Sequence, residues 1–134
     1  MEISAEVRNS RGQHEATVST AGVSQTVAIS PKASGLGSSL NGGELLMLAV
    51  ATCYCNDLYR ESARLGISLD GVEVTATATF AGVGLAASDI RYGARVHSSA
   101  PPAEIAELLR QTDAVAEVHN TIRKGVSVKL NTGP

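Results

Sequence analysis

The stretch Gly43-Glu44-Leu45-Leu46-Met47-Leu48-Ala49-Val50-Ala51-Thr52-Cys53-Tyr54-Cys55 decides how the rest of the chain is read. It is apolar on nearly every side through Ala51, turns amphipathic with Asn56, Asp57, Arg60 and Glu61, and reaches Leu65 before Gly66, a residue suited to close a helix. One helix from Gly43 to Leu65 is therefore predicted. Its apolar part, Leu45 to Cys55, falls short of the roughly 20 residues that cross a bilayer, so the helix belongs in a protein core and no membrane is expected as a partner. A helix apolar all round needs cover all round, and a chain of 134 residues supplies little of it alone. A second copy of the chain, a homodimer wrapping the helix, is the expected source.

Cys53 and Cys55 are the only cysteines. Each helical residue advances about 100°, so the two side chains project to nearly opposite faces and at most one enters a given pocket. A disulfide between them would need a Cα separation and Cβ orientation that a regular helix does not supply. A reactive thiol needs a cation or a helix N-terminus beside it, whereas a cysteine that merely packs needs neither; the residues alone leave both readings open. Arg11, in the turn between the first two strands, is the candidate cation, against the ordinary reading of a solvated arginine. Glu44 is its candidate carboxylate partner, although a Glu in a first helical turn is already explained by the helix dipole.

Outward from the helix, Ile3, Ala5 and Val7 alternate with Glu2, Ser4, Glu6 and Arg8, and the turn Asn9-Ser10-Arg11-Gly12 leads to a Thr- and Val-rich segment from His14 to Thr20. With Val23 to Ile29 after Ala21-Gly22, this predicts a three-stranded antiparallel meander, then a Gly-, Ser- and Pro-rich loop from Pro31 to Gly43. Downstream, Val72, Val74, Ala76 and Ala78 alternate with Glu73, Thr75, Thr77 and Thr79 as a half-exposed strand paired with Ile90 to His97. Pro101-Pro102 opens a helix carrying Ile105, Leu108 and Leu109, Asp113 to Ile122 reads as a second one, and Val126 to Leu130 reads as a final strand. The class is α+β, one domain over residues 1–134.

Composition removes several functions. The formal net charge is −2 and no basic cluster with interleaved aromatics occurs, so no nucleic-acid partner is expected. The amino-terminal residues lack the basic and apolar regions of a signal peptide, which makes a cytoplasmic location the expectation. No Gly-x-Ser-x-Gly elbow, phosphate loop or dinucleotide fingerprint occurs, and no cofactor is expected. His14, His97 and His119 lack zinc-ligand spacing, and Cys-x-Cys on one helix diverges, so no metal is expected either.

Gly43-Glu44-Leu45-Leu46 through Cys53, followed by Leu65-Gly66-Ile67, Gly71-Val72-Glu73-Val74 and Asn120-Thr121-Ile122-Arg123-Lys124-Gly125-Val126, resembles the OsmC/Ohr family of osmotically inducible and organic hydroperoxide resistance proteins. The resemblance implies an intertwined α+β homodimer whose central helix carries a peroxidatic thiolate at Cys53. It also implies an arginine from the first hairpin, here Arg11, that activates an organic hydroperoxide, and a second cysteine that resolves the sulfenic acid. Glu44 is similar to the Glu of many generic members, while the carboxylate that holds the arginine in the peroxidases falls on Gly43. The family's Cys-Pro falls on Ala116-Glu117, so no resolving cysteine stands there. His119, three positions after Ala116, would share its helical face and lie near Cys53, where it could stabilise a thiolate or shuttle a proton, against the plainer reading of a hydrogen-bonded or exposed histidine. Two functions follow as expectations: a one-cysteine peroxidase served by an external thiol, or a non-catalytic protein holding an apolar small molecule around Cys53.

Overall fold

The computed structural model describes residues 1–133. Its elements are those of an α+β protein and form two compact units, Met1–Leu45 and Leu46–Pro134.

In the first unit, β1 (Ile3–Ser10), β2 (Gln13–Thr20) and β3 (Val23–Val27) make the antiparallel meander in the order β1-β2-β3. The register is set by two-residue turns, with Ser10 opposite Gln13 and Thr20 opposite Val23. Ala21 and Gly22 both take positive φ, 49° and 82°, the backbone that matches the twist of a tight hairpin. The loop after β3 is fastened to the sheet by Asn9, whose amide donates to the Gly37 carbonyl at 3.1 Å and accepts from the Gly37 amide at 2.9 Å.

The long helix α1 (Gly42–Leu65) starts on a capping box. The Glu44 amide donates to Asn41 Oδ1 at 2.8 Å, and the Asn41 amide donates to Glu44 Oε1 at 3.0 Å, so two of the helix's unpaired amides are satisfied reciprocally. It ends as the sequence predicts. Gly66 takes φ 72° and the Ile67 amide reaches back to the Ser62 carbonyl at 2.8 Å, a Schellman closure.

In the second unit, β4 (Gly71–Thr79) and β5 (Ser88–His97) pair antiparallel with an irregularity between Thr77 and Thr79. Helices α2 (Pro102–Val115) and α3 (Glu117–Lys124) follow. The core is Tyr54, Leu58, Leu108 and Ala116, with Val72, Val74, Tyr92, Ala94 and Val96 of the hairpin packed against it. Tyr54 ties α1 to α2 by donating its hydroxyl to the Leu109 carbonyl at 2.8 Å.

Two expectations are corrected. The helix that was to run from Asp113 to Ile122 is divided: α2 continues to Val115, Ala116 leaves helical geometry at φ −71° and ψ 108°, and α3 begins at Glu117. Ala116 is completely buried, so the break plants a small side chain in the core. The final strand is not formed. Val126 to Leu130 has no strand partner among the described residues, and Val128 is 97% exposed, so the backbone groups that would make a ladder are left to solvent in the single chain.

Candidate functional site

Helix α1 sets Cys53, Asp57, Arg60 and Glu61 at i, i+4, i+7 and i+8, which brings them to one face. The half-buried Cys53 thiol donates to Asp57 Oδ2 at 3.6 Å and lies 3.9 Å from Glu117 Oε2, the first residue of α3. Arg60 closes the group: its guanidinium is 3.0 Å from Asp57, 3.5 Å from Glu61 and 3.5 Å from Glu117.

The electrostatics at the sulfur are opposed. Burial pushes the Cys53 thiol above its ordinary value, and the charges of Asp57 and Glu117 push the same way, while the Val118 backbone at the start of α3 favours the thiolate. The thiol is the resting form. Asp57 is held above the usual carboxylate range, first by burial and then by Glu117, with Arg60 pulling the other way. Glu117 is held below its ordinary value by backbone hydrogen bonding, with help from Asp57, Arg60 and Cys53. Within this pair Asp57 is therefore the better proton acceptor, and it is the one that touches the thiol.

Cys53, Asp57 and Glu117 are also the described residues whose donor atoms, within 4.8 Å of one another, come nearest to a metal-binding set. They mix a soft sulfur with two hard carboxylates, and the two carboxylates already share one cation, Arg60, which leaves the group net negative.

The other sequence candidates are placed as follows. Arg11 is exposed in the β1–β2 turn. Glu44 is engaged in the capping box, and no ion pair joins it to Arg11 among the described residues. Cys55 is half-buried. His119 lies on α3 and is 4% exposed, yet neither ring nitrogen has a hydrogen-bond partner, so it makes no such bond to Cys53. Its neighbours are aromatic: the Tyr92 ring centroid is 4.3 Å away and that of Tyr54 is 5.8 Å away. Asp57, Arg60 and Glu117 are the residues that the sequence reading missed. The i, i+4, i+7 spacing could have flagged the first two, whereas Glu117 is brought in only by the break at Ala116.

A family model described as OsmC-like protein matches residues 35–131. The chain belongs to the OsmC-like protein family. Solved structures agree on the fold. An OsmC-like protein from Mycoplasma pneumoniae superposes with a TM-score of 0.61 at 18% identity, covering 91% of this chain and 86% of that one. An organic hydroperoxide resistance protein OsmC from Legionella pneumophila gives 0.55 at 21% identity over 96% and 94%. An OsmC-like hydroperoxide resistance protein from Jannaschia gives 0.55 at 13% identity over 96% and 90%. No curated protein matches the chain. No helix is long and apolar enough to cross a membrane among the described residues.

Proposed function

We infer that this OsmC-like chain reduces organic hydroperoxides through a single peroxidatic cysteine, Cys53, and is regenerated by an external thiol. The observation that carries the reading is the nucleophile–base contact, Cys53 Sγ to Asp57 Oδ2 at 3.6 Å, with Arg60 orienting the base at 3.0 Å. The sulfur attacks the distal oxygen of the hydroperoxide as its proton passes to Asp57. The O–O bond breaks, the alcohol leaves with that proton, and Cys53 becomes a sulfenic acid. One external thiol condenses with the sulfenic acid, releasing water and leaving a mixed disulfide. A second displaces it, restoring Cys53 as the thiol and leaving the reductant oxidised to its disulfide. Arg11 keeps the peroxide-activating role that the resemblance implies, while Glu44 serves the capping box of α1. The working form is a cytoplasmic homodimer, in which the exposed Leu48, Val126, Val128 and Leu130 meet the second copy.

A second reading, a non-catalytic binder of small apolar molecules, is favoured by the raised Cys53 pKa and by Ala116 at the second-cysteine position. Consumption of cumene hydroperoxide with dithiothreitol as reductant separates the two. The peroxidase reading expects turnover that Cys53→Ser abolishes and Cys55→Ser preserves. Turnover absent from the unsubstituted protein, or unchanged in Cys53→Ser, overturns it.

A further inference from the structure

The second unit holds a cavity of about 100 Å³ lined by Val50, Ile90, Tyr92, His119, Ile122 and Arg123, and none of Cys53, Asp57, Arg60 or Glu117 is among its lining residues. Most of its polar lining is already spent. Arg123 is paired to Asp113 at 2.6 Å and also donates to the Asp113 carbonyl and to Asn120. The Tyr92 hydroxyl donates to Asp113. The lining residue left over is His119, buried and with both ring nitrogens unpartnered, which is a costly condition unless something in the cavity meets them.

We propose that this cavity is a binding site for a small neutral molecule carrying a hydroxyl on a short aliphatic body, the hydroxyl pairing with His119. A neutral imidazole offers one donor and one acceptor, and a hydroxyl can serve either. Val50, Ile90 and Ile122 make an apolar wall that favours a hydrocarbon body over water alone. Charged ligands are disfavoured because Arg123, the charged lining residue, is already paired with Asp113. The volume is below that of an apolar cavity that accepts benzene, so an occupant of roughly three to five heavy atoms fills it. The site uses none of the groups assigned to peroxide reduction and stands without that reading.

The test is a titration of the full-length protein, nitrogen-15 labelled at the histidine rings, with 1-propanol, and with 1-chloropropane as a body of the same heavy-atom count lacking the hydroxyl. The proposal expects saturable shifts of the His119 ring nitrogens, with His14 and His97 unmoved, and roughly fivefold weaker binding of the chloride. Cys53→Ser should leave the preference for the alcohol intact. Shifts that never saturate, that appear equally at all three histidines, or that are the same for both probes overturn the proposal, and these readouts need no variant to fold. A cavity occupied only by water, or filled by a side chain of a second copy, would leave the His119 nitrogens unresponsive and overturns it equally.

Discussion

Asp57 raises the Cys53 thiol pKa and, in the proposed mechanism, accepts the thiol's proton, and the two effects can be separated at this one residue. Its charge raises the thiol pKa, so Asp57→Asn should shift the pH profile of iodoacetamide alkylation at Cys53 to lower pH. If Asp57 accepts the thiol proton during attack, the same substitution should slow hydroperoxide reduction, by roughly a hundredfold for loss of a general base. A faster peroxide reaction in Asp57→Asn would remove the base from the mechanism. Glu117→Gln should lower the alkylation pKa without the catalytic loss, because Glu117 holds its proton less tightly and lies farther from the sulfur. His119 gives a second pH signature. Burial holds its folded pKa below the ordinary 6.5, and Arg123 adds to the shift while Asp113 opposes it; Tyr54 and Tyr92, facing it from α1 and β5, are neutral here. The folded state then binds fewer protons at His119 than the unfolded one, so the contribution of His119 to stability is fully present well above pH 6.5 and is lost as pH drops from there toward the folded value. Urea melts across that range should show the slope in the unsubstituted protein and a weaker one in His119→Leu. Cys53 was singled out by the resemblance to the OsmC/Ohr family, since its place in an apolar run left packing and reactivity both open; Asp57 and Arg60 were readable only as spacing, and a spacing names no chemistry until a thiol is found against it.

At the scale of elements, helix α1 was the most legible part of the chain, since its apolar run and Gly66 mark its course and its end. It starts at Gly42, close to the Gly43 read from the pattern, because Asn41 is the cap. Asn41→Ala should cost about 1 kcal/mol in chemical denaturation, and a loss near zero would mean the capping box adds nothing to stability. The hairpin turns were equally readable from Arg11-Gly12 and Ala21-Gly22. The division of α2 from α3 was not. Every residue from Asp113 to Ile122 tolerates a helix, and the break comes from burying Ala116, a tertiary demand with no local signal. That break matters because it points the first turn of α3 at the sulfur, bringing Glu117 and the Val118 backbone to Cys53.

At the scale of the molecule, the proposed homodimer would cover apolar groups that the single chain leaves in solvent: Leu48 is 57% exposed, and Val126, Val128 and Leu130 alternate along a segment that pairs with no strand among the described residues. The sequence shows strand propensity there, and among the described residues no strand pairs with it. Sedimentation equilibrium should find twice the 13.8 kDa chain mass, and Val128→Lys should shift the equilibrium toward monomer; a monomer at micromolar concentration would count against the dimer. The account turns on Cys53 being the peroxide-reactive thiol of an OsmC-like fold that lacks the second cysteine. The most direct measurement is sulfenic acid trapping by dimedone after one equivalent of cumene hydroperoxide, read by peptide mass spectrometry. The account predicts a dimedone adduct on Cys53 that forms well before any on Cys55 and is diminished in Asp57→Asn. An adduct absent from Cys53, or formed equally on both cysteines, would contradict it.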